Sequence, residues 1–165
     1  MKEIRYKAIG IIHSPFKKPE GTPIQPEAAK NVTGTVELFS EYTKGLKDLI
    51  GFSHIILIYH FHLIRKSRLY IKPFMDKHFH GIFATRAPSR PNPIGISVVR
   101  LINIKGNKIL IKDVDIVDGT PVLDIKPYVP EFDIRRANKK GWLDTNVYKL
   151  PSAKDDGRFI KNTGD

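Results

Sequence analysis

Apolar residues come along this chain in short runs, separated by polar segments rich in glycine and proline. That is the pattern of a protein built from strands, with little helix. Residues 6–12 read as an opening strand that Ser14-Pro15-Phe16 ends, and residues 34–39 as a second strand. Residues 53–63 form the most apolar run, with Ile55, Ile56, Leu57, Ile58, Tyr59 and Phe61. Its apolar positions do not alternate cleanly with polar ones, so it is predicted to be a strand buried on both faces. Residues 68–74 predict a further strand. Residues 97–104 and 108–116 predict a hairpin, because Gly106-Asn107 between them suits a tight primed turn. Residues 121–128 predict a last short strand. Only residues 42–50, with Leu46, Leu49 and Ile50 at helical spacing, predict helical turns. Many short strands with turn signals point to a β-barrel or a sandwich, and closure into a barrel removes exposed strand edges.

Two loops interrupt this pattern. Residues 17–31 are polar and carry Pro19, Gly21, Pro23 and Pro26; so long a connection inside a small domain is often functional. The second, residues 83–97, holds three prolines, one glycine and two arginines in fifteen residues. Proline fixes φ and removes a backbone donor, so this segment is expected to be neither helix nor central strand. Residues preceding proline are pushed towards extended backbone as well. The result is a stiff loop that displays Arg86, Arg90 and Asn92 with little entropy left to lose on binding. Two fixed guanidiniums four residues apart suit carboxylate or phosphate recognition.

Charge narrows the partner. Lys plus Arg number 28 against 17 for Asp plus Glu, a formal net charge of +11 on 165 residues. Such a surplus on one small domain points to a polyanion, most often nucleic acid. The basic residues Arg135, Arg136, Lys139 and Lys140 cluster late in the chain, and Trp142 is expected to anchor that segment. The absence of cysteine excludes disulfides, thiolate catalysis and cysteine-bound zinc. The first residues hold no apolar signal core and no run approaches a membrane span, so a cytoplasmic protein that engages no membrane is expected. Residues 1–145 are expected to form one domain and residues 146–165 a polar tail, loosely ordered after Pro151.

Candidate chemistry is sparse. His60 and His62, like His78 and His80, are two apart, so on a strand each pair shares a face and could meet one metal. No carboxylate follows His62 closely enough to complete such a site, and ring hydrogen bonds at strand ends explain the pairs as well. Asp113, Asp115, Asp118 and Asp124 crowd an aliphatic stretch. Asp118-Gly119-Thr120-Pro121 is an ordinary turn signature, although Asp118 or Asp124 could also serve as a ligand or proton acceptor. No G-x-G-x-x-G follows a strand and no Walker loop is present, which argues against a Rossmann nucleotide site.

Several segments together resemble the TrmO family, also called TsaA-like or YaeB-like. They are Ile9-Gly10-Ile11-Ile12-His13-Ser14-Pro15-Phe16, Gly21-Thr22-Pro23-Ile24-Gln25-Pro26, Gly45-Leu46 with Phe52-Ser53-His54-Ile55, the proline loop, and the run from Asp118 to Tyr128. The resemblance implies a single small β-barrel that uses S-adenosyl-L-methionine and methylates the exocyclic amine of threonylcarbamoyl-adenosine beside the anticodon of a tRNA, working as a homodimer. It implies cofactor contacts at Pro23, Ile24, Gln25, His62, Leu63, Arg86 and Ile96, and at the turn Asp118, Gly119, Thr120 and Pro121. It implies no metal. Ala87 stands where the family commonly has serine, and the extra C-terminal domain of longer bacterial members has no counterpart here. Within that frame Asn92 and Asp118 are the candidate catalytic residues: the carboxamide can orient the attacking amine, and the carboxylate can take its proton. The alternatives are a non-catalytic S-adenosylmethionine- and RNA-binding module and a histidine-lined barrel metalloenzyme.

Overall fold

The computed structural model describes residues 3–161. Six strands close into a barrel, each paired antiparallel to both neighbours. In chain order they are β1 (Gly10–His13), β2 (Thr33–Leu38), β3 (His54–His60), β6 (Ile94–Lys105), β7 (Lys108–Lys112) and β8 (Thr120–Pro127), and around the barrel they run β1-β2-β7-β6-β3-β8. A separate two-stranded tongue, β4 (Tyr70–Ile71) with β5 (His80–Gly81), stands between β3 and β6 in the chain. Closure pairs both edges of every barrel strand.

Long β6 makes the closure possible. Its first part pairs with β3 from Ile94↔His60 to Arg100↔His54, and its last part pairs with β7. A register shift between Leu101 and Asn103 bends the strand as it passes from one partner to the other. Gly106 then turns the chain with φ +60 at the first central position of the two-residue loop between Lys105 and Lys108, where a primed turn demands glycine. Inward positions fill the core with Ile12, Val36, Ile55, Leu57, Val99, Ile109, Ile111, Val114 and Val122, all buried.

Several sequence expectations need correction. The opening strand begins at Gly10 and not at residue 6; Glu3–Lys7 are exposed, Ile4 and Tyr6 included, and Ile9 extends the ladder by donating to Val122 O at 2.8 Å. The strongest apolar run is not buried on both faces. In β3, Ile55, Leu57 and Tyr59 are buried while Ile56 and Ile58 are half-buried on the outside. A barrel has one interior, and outward Ile56 and Ile58 shelter beside Val98 and Ile96, their cross-strand partners on β6. The end of the proline loop is central strand after all: residues from Ile94 onwards follow the last proline and pair with β3. The segment at 68–74 shrinks to the two residues of β4, and the helical turns at 42–50 are 3₁₀ turns at Ser40–Leu46 and Leu49–Gly51.

Residues 152–161 are not loose. Asp155 exchanges backbone hydrogen bonds with Gly21 and Thr22 at 2.7 and 2.8 Å, and Arg158 donates to Pro73 O at 3.1 Å. Phe159 packs on a small second core of Ile71, Ile82 and Ala87. Trp142 does anchor its segment, donating from Nε1 to Ala84 O at 2.8 Å and stacking on His80 with ring centroids 4.8 Å apart.

Candidate functional site

One end of the barrel carries a cavity of about 700 Å³ with mostly apolar walls. Its volume lies within the range of about 300–1,000 Å³ usual for small-molecule sites. Both proline-stiffened loops line it, through Pro19, Thr22, Pro23, Ile24 and Gln25 on one side and Phe83 to Pro88 on the other. The floor comes from Tyr59, Phe61, Gly95 and Asp115, exposed Ile96 adds to the rim, and the C-terminal segment adds Trp142, Leu150 and Phe159. Eight residues singled out from the sequence meet there: Pro23, Ile24, Gln25, His62, Leu63, Arg86, Ile96 and Thr120. The long 17–31 loop is held over the cavity by the C-terminal segment, including a bridge between Pro23 and Lys154.

The two arginines of the proline loop divide the work. Arg90 points back into its own loop, donating to Thr85 O at 2.8 Å and Ile82 O at 3.2 Å, and so fixes the loop. Arg86 reaches across to the other loop and donates from Nη1 to Gln25 Oε1 at 2.9 Å. That is its one hydrogen bond among the described residues, so most of its fork stays available to an anion.

The four crowded aspartates also separate. Asp113 pairs with Arg100, its Oδ1 accepting from Nη2 at 2.9 Å. Asp118 pairs with Lys17 Nζ at 2.8 Å and accepts from Ser14 N–H at 3.0 Å, which holds its carboxyl below the usual range. Asp124 pairs with Lys126 at 2.7 Å. Asp115 alone has no ion-pair partner among the described residues, and of the four it is the one that lines the cavity. Its Oδ1 accepts from Ser97 Oγ at 2.7 Å, and Ser97 Oγ lies 3.1 Å from Tyr59 OH. Burial pushes the Asp115 carboxyl up to about 7, against a smaller downward pull from the Ser97 hydrogen bond and from nearby Arg86. Burial and the Asp115 charge raise the Tyr59 hydroxyl far above its ordinary value, so it stays protonated. A carboxyl poised near neutrality in a cavity is the property expected of a proton acceptor.

Tyr59 owes its place to Gly95. A Cβ at that position would collide with the Tyr59 ring and come within 2.8 Å of Phe61. The two rings meet edge-on with centroids 5.3 Å apart. His62 sits where β3 has ended, with Nδ1 3.4 Å from Thr120 Oγ1; burial, then nearby His60, lowers its pKa and favours the neutral ring.

Not every predicted residue meets the cavity. Asn92 is exposed, and Asp118, Gly119 and Pro121 lie outside the lining. His78 and His80 both bond Asp76, at 3.0 and 2.9 Å, and so are strung along the tongue. Asp115, Ser97 and Tyr59 were not singled out as site residues. Their signal in the sequence is parity: Tyr59 falls in phase with Ile55 and Leu57, and Ser97 in phase with Val99, so both are polar groups at inward positions of otherwise apolar strands.

The model of the tRNA-methyltransferase O N-terminal domain matches residues 11–134. The chain belongs to that family. A probable S-adenosyl-L-methionine-binding protein of Pyrococcus abyssi is 64% identical over 157 residues, covering 95% of this chain and 85% of the relative. The tRNA (adenine(37)-N6)-methyltransferase of Escherichia coli is 37% identical over 145 residues, covering 79% of this chain and 60% of the enzyme. The crystal structure of TrmO from Pseudomonas aeruginosa superposes with a TM-score of 0.73 at 37% identity, covering 87% of this chain and 63% of that one. This chain therefore spans less than two thirds of the bacterial proteins, but most of the archaeal one. The mainly β barrel expected from the strand pattern is the fold of this family.

Proposed function

We propose that this protein binds S-adenosyl-L-methionine in the barrel-end cavity and methylates the exocyclic amine of an adenosine, (threonylcarbamoyl-)adenosine, next to the anticodon of tRNA. The observation that carries the reading is the Asp115 constellation between the two loops, in a cavity of suitable size. The residues present fit the cofactor. Pro23, Ile24, Leu63 and Ile96 offer apolar walls, and Phe61 offers a ring face for a base. Arg86 offers an unspent fork for a carboxylate, and neutral His62 adds no positive charge beside a sulfonium.

When bound, S-adenosylmethionine supplies an electrophilic methyl group, so the chain has two tasks. It must hold the acceptor nitrogen in line, and it must take the proton that nitrogen gives up. Asp115 is the group placed for the second task. The Ser97 hydroxyl keeps the carboxylate oriented by donating to Oδ1, while Tyr59 holds the serine. Exposed Asn92 remains a candidate for contacting the substrate base outside the cavity. The exposed cluster Arg135, Arg136, Lys139 and Lys140 supplies phosphate affinity, and the +11 charge supports a polyanionic substrate. Exposed Ile94 and Ile96, at the cavity rim on β6, support a homodimer whose second copy covers them. A cytoplasmic location follows for an enzyme of tRNA.

A second reading, a binding module without catalysis, draws on the name of the archaeal relative, an S-adenosyl-L-methionine-binding protein. The Asp115 site favours catalysis. Purified protein incubated with methyl-labelled S-adenosylmethionine and tRNA separates the two. Label in tRNA that depends on Asp115 supports the enzyme, and tight cofactor binding with no transfer to any tRNA supports the module.

A further inference from the structure

The tongue between β3 and β6 has a face that the barrel and the cavity leave unexplained. Its register pairs Tyr70 with Gly81 and Ile71 with His80. Continuing that pairing by one residue sets Lys72 opposite Phe79. Side chains alternate along strands, so Tyr70, Lys72 and Phe79 share one face and Ile71 takes the other. The contacts agree: Ile71 is buried in the small core with Ile82 and Phe159, while Lys72 Nζ sits 5.2 Å from the centre of the Phe79 ring. Tyr70 is 73% exposed, Phe79 62% and Phe83 77%. Phe83 sits in the 3₁₀ turn Ile82–Ala84 that follows β5, lies under the Arg90 guanidinium at 5.9 Å, and lines the cavity.

Rings this exposed, two on one face of the tongue and a third on the turn that follows it, are costly in water without a partner. Cations accompany them. Arg65, Lys66 and Arg68 lead into β4, are exposed, and with Lys72 form no ion pair among the described residues. Asp76 is already engaged by His78 and His80. Rings interleaved with unpaired cations are the chemistry of a single-stranded nucleic-acid platform: bases stack on the rings while phosphates meet the cations. A protein partner would have to be acidic to match so one-signed a charge, and acidity alone would leave the exposed rings without a role.

We propose that the tongue is a stacking platform for unpaired RNA bases, with Tyr70 and Phe79 as its rings and Phe83 at the point where the strand enters the cavity. The inference rests on the tRNA reading above and names how that substrate is held. An anticodon loop presents unpaired bases beside the target nucleoside. Stacking its neighbours on the tongue steers the target towards Phe83 and the cavity, and the ordering is done by the loop's own bases.

The test uses the full chain, an anticodon stem-loop RNA, and a fully paired duplex of equal charge. Tyr70→Ala with Phe79→Ala is expected to weaken stem-loop binding by about tenfold or more, the loss of at least one base stack. Duplex binding, the salt slope of stem-loop binding and S-adenosylmethionine affinity by calorimetry should be unchanged. Tyr70→Trp with Phe79→Trp should keep stem-loop affinity at or above wild type. Equal loss on stem-loop and duplex, or no loss at all, overturns the platform while leaving the tRNA reading standing. Wild-type protein that binds S-adenosylmethionine but neither RNA overturns both. A change in sedimentation of the Ala variant, with stem-loop affinity intact, makes the face a protein contact and also overturns it.

Discussion

Replacing half-buried Asp115 with Asn keeps the shape of its constellation with buried Ser97 and Tyr59 and removes only its ability to take a proton. The Ser97 hydroxyl can still donate to the amide oxygen from 2.7 Å, so the cavity should keep its form. Turnover should fall by about 10²–10⁴-fold, the usual contribution of a positioned general base. S-adenosylmethionine affinity should change little. The wild-type single-turnover rate should rise with pH and level off above about 7, because the carboxyl must be ionised to act and burial holds its pKa near that value. The groups that face it and could distort this profile are Ser97, Tyr59 and Arg86; Tyr59 remains protonated throughout. Stability should move the other way. An ordinary value of 3.8 raised to about 7 means the folded state holds its proton longer than the unfolded chain does. Wild-type stability therefore falls as pH rises from about 4 to about 7. At about 1.4 kcal/mol per unit the ionised carboxyl costs the fold up to about 4 kcal/mol above that window. Asp115→Asn should accordingly melt higher than wild type at pH 8 and nearly equal to it at pH 4. Methyl transfer from labelled S-adenosylmethionine across pH 5–9, alongside thermal melts at both ends, reads all of this. An Asn variant with wild-type turnover, or a wild-type profile with no rise near 7, would refute the assignment.

Arg86→Ala should weaken S-adenosylmethionine binding by about tenfold or more by calorimetry, the loss of one charge-assisted contact, whereas Arg90→Ala should lower the melting temperature by loosening the loop. Gly95→Ala should destabilise the fold by about 1–3 kcal/mol in denaturant unfolding, since the new methyl must displace the Tyr59 ring. Reversing the charge of Arg135 and Arg136 should reduce the slope of log tRNA affinity against log salt by somewhat under about one unit per lost phosphate contact, with cofactor affinity unchanged.

The sequence made the barrel strands legible where parity and turn chemistry agreed, as in the β6–β7 hairpin at Gly106-Asn107. It misled at residues 53–63, because a continuous aliphatic run looks the same whether its second face is covered by another layer or half-sheltered by cross-strand neighbours. Proline correctly marked the two loops that line the cavity, yet could not show that Arg90 would fold back on its loop while Arg86 crossed to Gln25. Asp115 was hidden among four aspartates, because what distinguishes it is the lack of an ion-pair partner among the described residues. That is a property of three-dimensional pairing with residues as distant as Lys17 and Arg100. The C-terminal segment looked like a tail because its few anchors, Phe159 and Arg158 above all, are scattered among polar residues.

Nucleoside mass spectrometry of tRNA from cells lacking this protein bears most directly on the central claim. The adenosine beside the anticodon should lose the mass of one methyl group, and regain it when the wild-type gene is returned but not when the Asp115→Asn gene is. Unaltered nucleosides in the deletion, or full restoration by the Asn variant, would contradict it.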